Sequence, residues 1–350
     1  MSYHLGILGG GNISQTHLRA ALEIDGVTIE AVCGQNAEKT RRLADAAGAV
    51  AYQDLDAFFR HRPMGAVLVG SPSGLHAEHG IAAARNGLHV LAEKPIDITT
   101  ERADALIAAC ESAHVKLGVF FQDRTSADIR KLKRAIDCGE LGKPILISAS
   151  VRWYRPPEYY RNSRWRGTWA LDGGGALMNQ GIHTVDLLLW LFGEVSSVWG
   201  RSITALHEIE VEDTVVASLE FASGAIGNLE AATSAYPGFS RRIEMSWPQG
   251  TVVVVNDRIR SADLLTPIEG LIGEQSNSED ERASSPVVSD TRGHRAIIED
   301  FIQAIEFDGA PICDGRQARR GVQLVSAIYE SSRTGLPISI SGHKVLAERM

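Results

Sequence analysis

The sequence predicts an α/β protein whose first third is a doubly wound parallel sheet and whose remainder is an α+β domain with a large open, mostly antiparallel sheet. Three observations lead there. Short apolar runs alternate with helical patterns over residues 3–121, the mark of strands joined by crossover helices. A glycine-rich turn, "GGGNIS", stands immediately after the first apolar run. From "KPILISASVRW" onward the pattern changes to longer strands and hairpins, as in "TVVASLEFASGAIGNLEAATSA", where Ser223 and Gly224 make the turn. At 350 residues the chain exceeds what one hydrophobic core organises. The expected division is residues 1–122, residues 123–335, and a C-terminal strand and tail over 336–350.

Taken in order, "HLGIL", "VTIEAV", "GAVLVG" and "LHVLA" read as buried strands, with helices near 13–24, 37–47 and 75–86 between them. In the glycine-rich turn, Gly9, Gly11 and Ser14 fit the dinucleotide fingerprint of a Rossmann domain with a small residue in the third position. With Asn12 and Ile13 they shape a turn that lets a pyrophosphate approach a helix N-terminus. The second strand runs into "VCGQNAEKTRR", where Gly34 stands in the place of the carboxylate that would hold ribose hydroxyls. Gln35, Asn36, Lys39, Arg41 and Arg42 follow. Nothing there repels a 2′-phosphate and cations are at hand to bind one, which favours NADP. Gln35 or Asn36 serving the ribose hydroxyls would leave NAD open. Later strands end in "VGSPSGLH", with Ser71, Pro72 and His76, and in "LAEKPID", with Glu93 and Lys94. Both lie at the carboxyl edge, where open parallel sheets bind their ligands.

The second part holds the stretch "GGGALMNQGIHTVDLLLW", residues 173–190, which reads as an apolar helix carrying one polar stripe. Asn179, His183 and Asp186, at i, i+4 and i+7, share its face. A histidine in such a helix is either a hydrogen-bonded core residue or a site residue. Upstream lies "RWYRPPEYYRNSRWRGTWALDGGG", crowded with aromatic and arginine side chains suited to walling a polyhydroxylated substrate. Tyr160, Arg161, Trp165 and Arg166 are its candidates, and Asp172 is placed to accept substrate hydroxyl protons. The segment "EQSNSEDERASS" near 274–285 reads as a flexible excursion.

Composition excludes several classes. With 44% hydrophobic and 22% charged residues the chain is an ordinary globular protein, and its net charge of −8 argues against a nucleic-acid partner. No apolar run reaches the roughly 18 residues that span a bilayer. "VDLLLWLF" is interrupted by Asp186, and the strand-like "YHLGILGG" leaves no room for a signal peptide, so the cytoplasm is the expected location. Cys33, Cys110, Cys138 and Cys313 lie far apart without paired spacing, which suggests neither a zinc site nor a disulfide framework. His183 and Asp186 alone do not make a metal site, and none is expected.

Through "GGGNIS", "SPSGLH", "EKP" and the later His183, the sequence resembles the Gfo/Idh/MocA oxidoreductase family of sugar and inositol dehydrogenases. The resemblance runs from about residue 4 to "AIYESSRTGLPISI" at 327–340. It implies that Lys94 and His183 are the catalytic pair facing the nicotinamide, with Asn179 and Asp186 near the substrate, and that the second sheet pairs subunits into a homodimer or homotetramer. Inositol dehydrogenase-like members often carry an aspartate four residues before the histidine, where this chain has Asn179, so inositol specificity does not transfer. The expected activity is NAD- or NADP-dependent hydride transfer at a secondary hydroxyl or ketone of a sugar, sugar derivative or cyclitol. Two alternatives stay open: a glycosidase of the same family that oxidises its sugar transiently, and a dinucleotide-sensing regulator without catalysis.

Overall fold

The computed structural model describes residues 2–272 and 290–340, so the acidic segment near 274–285 lies outside the described residues. Two compact units are present. The first comprises Met1–Thr125, Ala170–Gly173 and Val287–Arg319, and the second Ser126–Trp169, Gly174–Pro286 and Arg320–Met350. The units are thus interleaved in sequence, where three consecutive segments were expected.

The first unit runs β1 (Tyr3–Leu8), α1 (Asn12–Leu22), β2 (Val27–Cys33), α2 (Ala37–Ala47), β3 (Val50–Tyr52), α3 (Leu55–Phe59), β4 (Ala66–Val69), α4 (His76–Arg85), β5 (His89–Ala92), α5 (Thr100–Ser112) and β6 (Leu117–Val119). Its six strands are all parallel in the order β3-β2-β1-β4-β5-β6. Covered on both faces, strands such as β4, "AVLV", are buried at every position. The order reverses between β1 and β4, so the turns after β1 and β4 flank the crevice where such sheets bind ligands.

The core of this unit is completed from far along the chain. Helix α9 (Arg292–Glu306) presents Ile297, Ile298, Phe301 and Ile302 to Leu5, Ile7, Leu18, Leu68, Leu91 and Phe120. Repeated apolar residues three and four apart on α9 explain the match. Sequence order alone assigned this helix to the second domain.

The second unit holds α6 (Ala127–Asp137), β7 (Leu146–Arg152), α7 (Glu158–Arg161), a π-helical turn (Ala176–Gly181), α8 (Ile182–Phe192), β8 (Val195–Ile203), β9 (Thr214–Phe221), β10 (Ile226–Ala232), β11 (Arg242–Trp247), β12 (Gly250–Val255) and β13 (Arg258–Leu264). Helix α10 (Gly315–Thr334) and β14 (Ile338–Ser339) follow α9. The eight-stranded sheet has the order β13-β12-β11-β7-β10-β9-β8-β14, antiparallel except where β10 runs parallel to β7. Its strands alternate, as in β9, whose residues are buried at Val215, Ala217, Leu219 and Phe221 and exposed at Val216, Ser218 and Glu220. One face therefore carries the core and the other is open.

Candidate functional site

In the first unit the expected cofactor residues gather on loops at the carboxyl edge of the sheet. Gly9, at φ 135°, passes so near the end of β4 that a Cβ there would lie 2.5 Å from the Gly70 carbonyl oxygen. Gly11 is the N-cap of α1 and offers no side chain to its first turn. A Cβ on Gly11 would meet nothing within 4 Å. Room is thus left in front of a helix end whose first N–H groups lack a side-chain cap, with Asn12 exposed and Ile13 half-buried beside it. The Ser14 hydroxyl lies buried behind the turn without a hydrogen-bond partner. This geometry fits a dinucleotide pyrophosphate.

At the end of β2, Gly34 is half-buried, and Gln35, Asn36 and Lys39 are exposed. The Asn36 Oδ1 accepts from the Lys39 backbone N–H at 2.9 Å, capping α2. A Cβ on Gly34 would lie 2.7 Å from the Thr40 Oγ1. After β4, Ser71 and Pro72 are half-buried, and the Ser71 hydroxyl meets His79 Nδ1 at 2.9 Å. His76, expected among the cofactor residues, is instead 1% exposed, with its ring bridging the Pro95 carbonyl (2.7 Å) and the Ser71 carbonyl (2.8 Å). It ties the loop after β4 to the EKP segment. Asp172, also buried, belongs to the short stretch Ala170–Gly173 of this unit.

The EKP segment follows β5. Glu93 is buried and Lys94 half-buried. The Lys94 backbone N–H donates to Glu93 Oε2 at 3.1 Å, while Glu93 Oε1 lies 2.9 Å from His17 Nε2 and 3.9 Å from His294 Nε2. Burial alone would raise the Glu93 carboxyl. The His17 hydrogen bond and the neighbouring His17, His294 and Lys94 outweigh it and hold the group down to about 2. Burial likewise pushes His294 down to about 4, against the pull of Glu93. Neither His17 nor His294 stood out in the sequence. The signal available for His17 was its place on the buried face of α1, with Ser14, Leu18 and Ala21. The three side chains put possible metal-ligating atoms within 4.8 Å of one another. A metal-bound histidine normally donates its second ring N–H, yet Nδ1 of both His17 and His294 is buried without a partner, so the group reads as a buried hydrogen-bonded cluster around the Glu93 carboxylate.

In the second unit the striped helix is not one α-helix. Gly173–Gly175 stay outside it, residues 176–181 form the π-helical turn carrying Asn179, and α8 begins at Ile182 with His183 in its first turn. The wider turn shifts Asn179 off the regular i, i+4 register with His183. His183 and Asn179 are half-buried, and Asp186 is 2% exposed. Asn179 Oδ1 accepts from Gln180 Nε2 at 3.2 Å. The same Gln180 amide donates to the Tyr159 hydroxyl at 2.9 Å, and its Oε1 accepts from Arg155 Nη2 at 3.4 Å. Both Arg155 and Arg166 approach the Tyr159 ring, at 5.7 and 4.3 Å from its centroid, and Arg166 also approaches Trp165 at 5.3 Å. The aromatic and arginine segment therefore meets the π-turn through Tyr159, Arg155 and Gln180, none of which the sequence singled out. Trp165 and Arg166 take part in that cluster. Tyr160 does not present its hydroxyl there, since it is buried and bonded to Thr233 Oγ1 at 2.8 Å, and Arg161 is exposed and paired with Glu158.

Among known proteins, residues 3–121 match the oxidoreductase family model with the NAD-binding Rossmann fold, and residues 129–253 match the GFO/IDH/MocA C-terminal domain. The WlbA dehydrogenase of Bordetella pertussis, solved with NADH and UDP-GlcNAcA, is 33% identical with a TM-score of 0.89, covering 98% of this chain and 99% of that one. The myo-inositol 2-dehydrogenase of Thermotoga maritima is 30% identical over 73% of this chain and 75% of its own. An NADP(+)-dependent D-xylose 1-dehydrogenase of Haloferax volcanii is 24% identical over 96% of this chain and 99% of its own. With both of its parts matched, the chain belongs to the Gfo/Idh/MocA family of NAD-binding oxidoreductases.

Proposed function

We propose that the protein is a dehydrogenase or reductase acting on a secondary CH–OH or ketone of a sugar, sugar derivative or cyclitol. The observation that carries this reading is the uncapped N-terminus of α1 behind Gly9 and Gly11 on the same sheet edge as Lys94. When bound, the nicotinamide supplies the hydride acceptor or donor. His183, in the first turn of α8, takes the hydroxyl proton in the oxidation direction, a task suited to imidazole because its pKa lies near working pH. Lys94 donates to the same oxygen and steadies its developing negative charge. Gly9, Gly11, Asn12 and Ile13 hold the pyrophosphate, Ser71 and Pro72 flank the nicotinamide half, and Gln35 and Lys39 face the adenosine ribose.

An anionic sugar derivative fits best. Residues 152–167 carry five arginines against one glutamate in a chain of net charge −8. Arg155 and Arg166, around Tyr159, sit beside the π-turn. A sugar acid or a nucleotide-linked sugar of the kind bound by the Bordetella relative supplies the matching charge. Gly34 with Lys39 favours NADP. Exposed apolar residues on the open face of the second sheet, Leu146, Trp199, Val216 and Ile226, support a homodimer or homotetramer. No described helix is long and apolar enough to cross a membrane, in keeping with a cytoplasmic enzyme.

The test is a screen of neutral sugars, cyclitols, sugar acids and nucleotide-linked sugars, followed at the reduced-nicotinamide absorbance with NAD and NADP in parallel. Turnover with an acidic sugar is the expected result. Glycoside cleavage without net cofactor reduction would replace the dehydrogenase with the glycosidase, and cofactor binding with no turnover of any kind would favour the sensor.

A further inference from the structure

The glycines of "GGG" at 173–175 leave the start of the π-turn with no side chain of its own to cap it. Its first N–H groups are nevertheless satisfied, all by one residue. Glu212 Oε2 accepts from the Gly175 N–H at 2.9 Å, its backbone oxygen from Ala176 at 3.0 Å, and its Oε1 from Leu177 at 2.8 Å. The Tyr329 hydroxyl donates to the same Oε1 at 2.9 Å. The approach is close enough to demand glycine. A Cβ on Gly175 would lie 1.8 Å from the Glu212 backbone oxygen, and one on Gly174 would lie 2.2 Å from the Tyr329 hydroxyl.

An ordinary cap is a neighbouring Ser, Asp or Asn. Here a buried carboxylate comes from just before β9, more than thirty residues on, although burying a carboxylate is costly and an apolar contact would serve packing equally well. Burial pushes the Glu212 carboxyl up to about 7, against the pull of the Leu177, Gly175 and Tyr329 donors. Its charge near neutrality therefore depends on those donors staying in place. The element so held leads directly into the first turn of α8, and π-turns recur at functional sites.

We infer that Glu212, with Tyr329, is a positioning residue for His183: it fixes the π-turn Ala176–Gly181 and thereby the direction from which α8 presents the imidazole. The inference rests on the reading of His183 as the proton acceptor. Tyr329→Phe removes one donor and keeps the ring, and Glu212→Gln keeps length while replacing one acceptor with an amide donor. Each is compared with the unmutated protein and with His183→Ala by kcat, KM for cofactor and thermal midpoint, and with the unmutated protein by the pH titration of the His183 ring followed by NMR.

The expected result is a kcat lowered about 10- to 100-fold by either variant, as for small misplacements of a reacting group. The cofactor KM should hold and the His183 ring resonances should shift. Unchanged kcat in Tyr329→Phe and in any folded Glu212→Gln, alongside an inactive His183→Ala, would overturn the inference. So would a loss of activity matched by loss of folded protein with the His183 titration unmoved. If Glu212→Gln does not fold, Tyr329→Phe decides alone. A fully active His183→Ala would instead remove the underlying reading.

Discussion

The carboxylate of Glu93 is shared between His17, 2.9 Å from its Oε1, and the backbone N–H of Lys94, 3.1 Å from its Oε2. The lysine expected to meet the substrate oxygen is thus anchored by a buried carboxylate whose hydrogen-bond partner sits on α1, the helix behind the glycine-rich turn. Replacing His17 with leucine leaves that carboxylate buried without its nearest partner. The expected cost is about 3 to 5 kcal/mol of stability, measured by urea unfolding. His17→Leu combined with Glu93→Leu should recover much of it, and additive losses would show that the two residues are not coupled.

Acid should destabilise the first unit in two stages. His294, held down to about 4 against an ordinary 6.5, favours its neutral form when folded, so its contribution is complete above pH 6.5 and is lost as pH falls towards 4. Glu93, held down to about 2 against 4.5, contributes above pH 4.5 and is lost as pH falls through 2. The first stage is worth on the order of 3 kcal/mol. Thermal midpoints between pH 8 and 4 should decline from about 6.5 downward, and His294→Phe should delay the onset. A flat wild-type profile over that interval would refute the assignment.

The proposed preference for NADP rests on Gly34, but a carboxylate cannot simply be placed there, because a Cβ meets the Thr40 hydroxyl at 2.7 Å. That hydroxyl donates to the Asn36 carbonyl at 2.8 Å. Gly34→Asp alone should therefore lower stability. Gly34→Asp with Thr40→Ala should shift kcat/KM towards NAD by about 10-fold or more, through acceptance from the ribose and repulsion of a 2′-phosphate. A wild-type enzyme that already prefers NAD strongly would contradict the NADP reading.

His183→Ala should reduce kcat by about 10² or more with little change in cofactor affinity or thermal midpoint. A half-buried ring acting only in packing would instead lower the midpoint and leave the activity of the folded fraction intact.

Arg166→Met keeps an apolar stem against Tyr159 and Trp165 while removing the charge. KM for an acidic substrate should rise about 10-fold or more, and that for a neutral sugar should stay within about 2-fold. Equal effects on both substrates would remove the arginine cluster from charge recognition.

Much of the first unit was legible because its signals are local. Strands buried on both faces read as unbroken apolar runs, "GGGNIS" follows one of them directly, and Lys94 closes another. The buried cluster under Lys94 was not legible, since His17, Glu93 and His294 are brought together only by the packing of α1, β5 and α9. The π-turn escaped for a related reason. Residues 176–181 have ordinary helical composition, and their wider turn is set by Glu212, a residue with no local pattern connecting it to them. Tyr160 and Tyr159 are adjacent and chemically alike, so only the backbone path decides that the first bonds Thr233 and the second faces Arg166.

The place of α9 also bears on how the protein comes into being on the ribosome. The inner surface of the first unit, with Leu5, Leu18, Leu91 and Phe120, is closed by Ile297, Ile298 and Phe301, which are translated only after the whole eight-stranded sheet except β14. A nascent chain that has finished β6 therefore carries an open apolar seam for the time it takes to make more than 170 further residues. Shortening the protein to its first 125 residues would make that seam permanent. A dinucleotide-binding fragment cut at the apparent domain boundary should aggregate, and supplying α9 on a short tether should restore its solubility.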